Sequence, residues 1–328
     1  MTPRRAANTP GALLLASSGL SALRRVVDPG AAPLLAGRVL AQWARVERYL
    51  GDLDVAGDLY DRTAVLGRRH GLPELLVRAE MGRAVLARIR GNYPETRTRF
   101  RRALARAERA GLGELTGLAH QGLLIAAAVA GDFDTALTHG WAAFARVAGD
   151  GGKEAEVLVN LAGLCLDARQ DAAALRGYSS AAERTRDMRT WLSATAGLAV
   201  AAARVGRDEL LRESAAAVEH ALASKGAPYE RAQHLLTLSD AFTDADDPER
   251  AAGYRERGLD IARANGFSEL ELRYTTAPDK ATAVRQRPAP PPLGAGARRV
   301  VREIGALPGR AGPATLSVGP LRGPGRVS

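Results

Sequence analysis

The chain has 328 residues, of which 46% are hydrophobic and only 5% aromatic, and its formal net charge is +10. A single cysteine, Cys165, excludes an intramolecular disulfide and any metal site built from several cysteines. No apolar run approaches the roughly 20 residues of a transmembrane helix. Because Ala, Leu, Arg and Glu are abundant and all favour helix, we expect an all-α protein.

The first 32 residues contain a short apolar run, 11–16, that follows Arg4 and Arg5 and so has the order of a brief export signal. Apolar residues continue at helical spacing as far as Val27, which favours a helix instead. We therefore predict that residues 1–32 form an N-terminal segment whose helix caps the first repeat. We expect the protein to be cytoplasmic.

A short motif then recurs six times, at intervals of 37 to 40 residues. Its strongest copies are Gly51–Ala56, Gly91–Thr96 and Gly131–Ala136, and weaker copies begin at Arg169, Gly206 and Asp246. Gly ends a helix in the left-handed conformation, and the Asp or Asn that follows it caps the next helix. We predict twelve helices in six hairpins across residues 33–275, with turns within two residues of 51, 91, 131, 170, 206 and 246.

Aromatic residues stand nine positions after three of these turns, at Tyr60, Phe100 and Tyr178. We expect each ring to fill the gap between neighbouring hairpins. A single up-and-down helical bundle is the competing fold, since it is also rich in helix and has short loops. The regular two-helix period favours a solenoid, in which each repeat packs on the next.

These turns, together with Asn160–Gly163, resemble the tetratricopeptide repeat (TPR) superfamily over residues 33–270. The period exceeds the usual 34 residues or so and is similar to long-period bacterial variants, found in signalling adaptors and in the sensor arms of ATP-dependent transcription activators. Aliphatic residues largely replace the Trp and Tyr of the standard first helix, and the fifth and sixth units diverge. The resemblance implies a helical-hairpin solenoid, a TPR-like superhelix, whose first helices line a concave groove for a protein or peptide partner.

In this superfamily the residues thirteen, ten, nine and six positions before each turn point into the groove. The resemblance thus implies these partner-binding residues: Arg38, Gln42, Arg45, Arg78, Met81, Val85, Leu118, Gln121, Ile125, Glu156, Val159, Asn160, Val200, Gln233 and Asp240. Their order suggests that Arg38, Arg45 and Arg78 select an acidic flank of the partner, that central apolar residues hold its apolar side, and that Glu156 and Asp240 select a basic flank. For the central apolar residues, packing between helices stays an alternative.

The charge is concentrated at the two ends of the chain. Residues 33–280 contain 34 basic and 34 acidic residues, whereas 1–32 and 281–328 carry the whole positive excess. We therefore expect no binding of nucleic acid by the repeats. Residues 281–328 also contain eight Pro and eight Gly, so we predict that 276–328 is a disordered tail in which only 297–304 could form a short amphipathic helix.

The sequence motifs that would indicate a catalytic or metal site are incomplete here. Gly149–Glu154 has the glycines and lysine of a phosphate-binding loop, but Glu154 stands where a magnesium-binding hydroxyl would be needed. The five histidines lack the spacing of metal ligands: His70, His120, His139, His220 and His234. We expect no enzyme activity and no cofactor or metal.

Our leading hypothesis is a bacterial protein-interaction scaffold or sensor arm. The alternative is a transcription regulator, or a shortened relative of a TPR-containing ATP-dependent transcription activator. An enzyme with a site between helices is the third hypothesis. The identity of the partner and the oligomeric state stay open.

Overall fold

The computed structural model describes residues 30–225, 228–276 and 292–308. Every element of secondary structure in these ranges is a helix, most of them 14 to 18 residues long, and successive helices of the hairpins pack side by side within each of two compact units. The all-α helical-repeat solenoid predicted from the sequence is thus confirmed. Between Val147 and Ala148 the chain divides into two compact units, which we call unit 1 and unit 2.

Unit 1 holds three hairpins, formed by α1 (Pro33–Leu50), α2 (Leu53–Arg69), α3 (Pro73–Ile89), α4 (Tyr93–Arg109), α5 (Gly113–Val129) and α6 (Phe133–Arg146). Unit 2 holds three more hairpins and two single helices, formed by α7 (Gly151–Asp167), α8 (Asp171–Arg184), α9 (Met188–Arg204), α10 (Asp208–Lys225), α11 (Pro228–Asp244), α12 (Pro248–Ala264), α13 (Ser268–Thr276) and α14 (Ala295–Gly305). The twelve predicted helices in six hairpins are therefore present.

The six turns inside the hairpins lie where the sequence predicts them. Gly51 has a φ of 89° and Gly91 a φ of 77°, the left-handed region that glycine enters without steric cost. Where the motif lacks glycine, Arg169 and Asp246 adopt the same conformation, with φ of 55° and 59°. The turn geometry is thus conserved in the two copies that have lost its preferred residue.

Acidic and amide side chains begin the helices that follow these turns. The Asp52 carboxylate accepts a hydrogen bond of 3.0 Å from the Val55 amide, and Asp132 accepts one of 3.0 Å from Thr135. Asn92 and Asp247 cap α4 and α12 in the same way. Each cap satisfies an N–H group that the first turn of a helix leaves without an intrahelical partner.

Buried aromatic rings join each of three hairpins to the next. The ring projects from a second helix onto a glycine of the following first helix, where a Cβ atom would overlap it. The pairs are Tyr60 with Gly82, Phe100 with Gly122, and Tyr178 with Gly197. The predicted role of the three rings is confirmed, and the glycines explain how the helices come close enough.

α13 is a single helix that covers the last hairpin. Phe267, Leu270 and Tyr274 pack into a buried cluster with residues of α11 and α12. Tyr274 also lies against Gly258, and its hydroxyl donates a hydrogen bond to the Ala232 carbonyl. The sequence analysis did not predict this helix, which takes the place of a further hairpin and closes the apolar end.

Helix α14 lies within the segment 276–328 that the sequence predicts to be disordered. It packs on α8 and buries Ala297, Val300 and Ile304. Residues 292–308 therefore differ from the prediction, because their apolar stripe meets a complementary helix elsewhere in the chain. The rest of that segment, and the predicted N-terminal helix, lie outside the described residues.

Replacing Phe100 by Ala should lower the free energy of unfolding by about 3 to 5 kcal/mol, because it removes the buried ring that joins the second and third hairpins. Tyr93→Ala is the matched control, since Tyr93 is 43% exposed on the same helix and should cost about 0.5 kcal/mol or less. Urea denaturation followed by circular dichroism measures both. Equal losses for the two variants would contradict the structural role of the ring.

Candidate protein-binding surface

The first helices of unit 1 form the surface that the sequence analysis points to. Helix α3 packs between α1 and α5, so residues 40 positions apart occupy equivalent places on the three helices. Positions i, i+7 and i+11 share one face of an α-helix. We define the unit 1 face by nine residues: Arg38, Arg45, Tyr49, Arg78, Val85, Ile89, Leu118, Ile125 and Val129.

Apolar side chains of this face are open to solvent. Tyr49, Ile89 and Val129, at equivalent positions, are 60%, 46% and 51% exposed, and Leu118 and Ile125 are 39% and 37% exposed. A single exposed apolar residue is ordinary on a protein surface, whereas a repeated row of them marks a candidate interaction site. The unit 1 face combines such a row with arginines at the α1 end.

The groove residues predicted from the sequence do not include Tyr49, Ile89 and Val129. These three residues lie one helical turn beyond Arg45, Val85 and Ile125, two positions before each turn. Extending each predicted stripe by four residues would have identified them. The sequence therefore contained this signal, although the superfamily positions used for the prediction stopped short of it.

Two of the predicted groove arginines share a partner within unit 1. Arg38 donates two hydrogen bonds of 2.7 Å to the two carboxylate oxygens of Glu74, and Arg78 donates one of 2.8 Å to the same carboxylate. The hydrogen bond from Arg38, aided by Arg78, lowers the pKa of Glu74 to about 2. Glu74 thus neutralises part of the positive charge that the sequence assigned to an acidic flank of the partner.

Arg45 and Arg48 keep positive charge beside Tyr49. Their guanidinium carbons lie 5.8 Å and 4.8 Å from the centroid of the Tyr49 ring, within the range of cation–π contact. Arg45 is exposed, as its predicted groove position requires. The α1 end of the unit 1 face therefore presents an aromatic ring flanked by two cations.

The remaining predicted residues of unit 1 differ in exposure. Gln42 is exposed and Gln121 is half-buried. Met81 and Val85 are half-buried and pack against the buried cluster that contains Phe100. The alternative of packing between helices therefore applies to Met81 and Val85, at least in part.

In unit 2 the predicted residues do not form an open apolar row. Glu156 and Asn160 are exposed, and the Asn160 amide donates to the Glu156 carbonyl of the same helix at 3.2 Å. Val159, Gln233 and Asp240 are half-buried. Val200 is only 7% exposed because four helices surround α9, so its predicted contact with a partner is wrong.

An ion-pair network in unit 2 replaces the apolar row of unit 1. The positions equivalent to Tyr49, Ile89 and Val129 are Asp167, Arg204 and Asp244. Arg204 donates to the Asp244 carboxylate at 2.8 Å and to the Leu166 carbonyl at 2.9 Å, and it lies 3.6 Å from the Asp171 carboxylate. These charges are paired within unit 2, so the apolar candidate surface belongs to unit 1.

A histidine pair between α5 and α6 is the titratable cluster that the sequence did not predict. The Nδ1 atoms of His120 and His139 lie 2.9 Å apart, close enough to share one proton. Burial lowers the pKa of both imidazoles. Of the charged neighbours, Arg146 and Arg101 lower these pKa values further, whereas Glu108 and Asp132 oppose the shift.

The described residues contain no cluster of three or more His, Cys, Asp or Glu side chains that could hold a metal ion. None of the described helices combines the length and apolar character that crossing a bilayer requires.

No protein-family model and no curated protein matches the sequence. Among solved structures, the chain is similar to the crystal structure of BtubC (BKLC) from P. vanneervenii. The sequence identity is 17% and the TM-score is 0.45, and the similarity covers 79% of this chain and 92% of that one. A similarity this distant carries no information on function.

The Glu74 interaction should make stability depend on pH in the acid range. Because the pKa of Glu74 is lowered in the folded state, its contribution is complete above its unfolded pKa, about 4.3, and is lost as the pH falls toward 2. The difference in free energy of unfolding between the native chain and Glu74→Gln should shrink over that interval. A difference that stays constant from pH 7 to pH 2 would show that the ion pairs do not contribute.

The histidine pair should make stability depend on pH in a higher pH range than Glu74 does. With both pKa values lowered by folding, the unfolded chain binds more protons below about pH 6.5, so stability should fall as the pH drops from 7.5 to 5.5. A chain carrying His120→Asn and His139→Asn should lose part of this dependence, measured by urea denaturation across the same range. His70→Asn, at an exposed turn, is the control and should keep it.

Proposed function

We propose that this chain is a non-catalytic, TPR-like scaffold that binds a segment of a partner protein on the unit 1 face. The row of exposed apolar side chains at Tyr49, Ile89 and Val129 carries the proposal. The 37-to-40-residue period and the capped Gly-Asp turns support the assignment to the tetratricopeptide type. The sensor-arm role and the cytoplasmic location stay predictions.

An amphipathic helix suits this surface better than an extended peptide. Packed helices lie about 8 to 10 Å apart, so the equivalent residues of α1, α3 and α5 form rows at that spacing. Apolar residues two turns apart on one face of a partner helix, i and i+7, are separated by about 10 Å and can contact successive rows. Tyr49 would serve as the aromatic anchor of the interface, a role that tyrosine often fills.

The charges of the unit 1 face favour an acidic residue in the partner near Tyr49. Arg45 and Arg48 flank this ring, and burial of the contact would strengthen their attraction for a carboxylate. Arg38 and Arg78 contribute less than the sequence predicted, because both already bind Glu74. Glu156 and Asp240 lie in unit 2 and have no part in this proposal.

The alternative from the sequence, a transcription regulator, gains no support from the described residues. An enzyme would need a pocket in which reactive groups converge. The His120–His139 pair is enclosed between two helices, and the cavity beside His139 has a volume of only about 20 Å³, too small for an organic substrate. We therefore keep the scaffold as the single proposal.

Affinity capture from extracts of the source organism, with matched variants of the full-length chain, tests the proposal. Ile89→Asp combined with Ile125→Asp places two carboxylates on the unit 1 face, and both positions are exposed enough to leave folding intact. We expect the amount of partner captured by this variant to be at least ten-fold lower than the amount captured by the native chain, because each charge would be buried without a counterion.

Val65→Asp is the control, since Val65 is 53% exposed on α2, outside the unit 1 face. This variant should capture the partner as the native chain does. Circular dichroism verifies that all three proteins have the same helix content. Equal capture by all three would rule out the unit 1 face as the binding surface.

A further inference from the structure

Helix α14 docks through one apolar stripe. Leu293, Ala297, Val300 and Ile304 are spaced four, three and four residues apart and are at most 9% exposed. The opposite side of the helix is exposed and polar, with Arg299, Arg302 and Glu303 in solvent. The helix therefore has the amphipathic form of a ligand that lies in a groove.

The surface that receives α14 has a feature peculiar to α8. The side chain of Ile304 lies against Gly177, where a Cβ atom would come within 3.0 Å of the Ala162 Cβ on α7 and within 3.2 Å of the isoleucine Cγ2. The equivalent residues of the other five second helices all have side chains: Leu59, Arg99, His139, Ser214 and Tyr254. Gly177 thus opens, on α8 alone, a notch into which an aliphatic side chain fits.

A cleft continues beyond the C-terminal end of α14. It has a volume of about 680 Å³ and is bounded by Val301 and Gly305 of α14, by the first turn of α8 and by Val205. α14 therefore fills only part of the available groove. A helix one or two turns longer than α14 would occupy both the docked stretch and the cleft.

The contacts of α14 are concentrated on a single element. Its packing within unit 2 is against α8. Because α14 belongs to the same chain as α8, it binds this groove as an intramolecular ligand.

We propose that the α8 groove is a second protein-binding site, which α14 occupies as an intramolecular ligand and from which a longer amphipathic helix of a partner protein displaces it. The partner helix carries aliphatic residues with the four, three, four spacing of α14, including one that enters the notch at Gly177. It continues for a further turn or two with side chains that fill the cleft. Release of α14 would expose its apolar stripe and the groove together.

Fluorescence anisotropy with labelled synthetic peptides tests this site on the full-length chain. The first probe is a peptide of residues 292–308. It should bind the native chain weakly, because α14 already occupies the groove. It should bind the Ile304→Asp chain with a Kd at least ten-fold lower, because the aspartate releases α14 from the notch. A second probe, lengthened by two helical turns with leucines at the same spacing, should bind the native chain at least ten-fold more tightly than the first.

Three controls make the outcome decisive. The first peptide with Ile304→Asp should bind neither the native chain nor the Ile304→Asp chain. A full-length chain with Arg299→Asp, a change on the exposed side of α14, should bind the first peptide as weakly as the native chain does. Adding Gly177→Ala to the Ile304→Asp chain should weaken binding by narrowing the notch, and because the new Cβ also meets Ala162 of α7, this result counts only for a variant whose helix content and unfolding midpoint match those of the Ile304→Asp chain. Circular dichroism monitors folding of every variant.

Failure of the first peptide to bind a folded Ile304→Asp chain would overturn the proposal. Equal binding to the native and Ile304→Asp chains would also overturn it, since the peptide would then use another surface. A native chain that elutes as a dimer and becomes monomeric with Ile304→Asp would assign the groove to α14 of a second copy, contrary to the intramolecular ligand proposed.

Discussion

The contact between an aromatic ring and a glycine sets the spacing of neighbouring hairpins at three junctions, two in unit 1 and one in unit 2. Because Gly82, Gly122 and Gly197 have no side chain, Tyr60, Phe100 and Tyr178 can lie directly on the backbone of the next first helix. This contact keeps equivalent first-helix residues aligned, which the unit 1 face requires. The third hairpin has Gly140 at the ring position, and the chain divides into its two units just after that hairpin.

The sequence predicted the parts of the fold that depend on local chemistry. Each of the six turns has one left-handed residue, and in four of them the next residue caps the following helix with its side chain. α13 and the docking of α14 were not predicted, because their stability comes from distant partners, such as the α11 residues beneath Tyr274; the sequence indicated only that 297–304 could form an amphipathic helix. Ile304 likewise packs against a glycine far away in the chain, Gly177, and no local sequence pattern indicates such a contact.

Like the fold, the candidate site has some features that depend on residues close together in the sequence and others that depend on distant residues. The superfamily resemblance implied the direction of Arg45, Leu118 and Ile125, all of which are exposed on unit 1. It could not reveal that a carboxylate 36 residues from Arg38 binds that arginine, nor that α9 is enclosed so fully that Val200 is buried. Position on a helix face predicts orientation, whereas availability depends on what the neighbouring helices bring to the same place.

The two units use one backbone pattern for opposite surface chemistry. At equivalent positions unit 1 exposes Tyr49, Ile89 and Val129, whereas unit 2 places Arg204 between two carboxylates. Neither row contributes to the ring–glycine contacts or to the left-handed turn residues, so the repeat backbone accommodates either chemistry at these positions. An apolar row that is dispensable for folding carries a risk of aggregation in water, and a binding partner that covers it removes that risk.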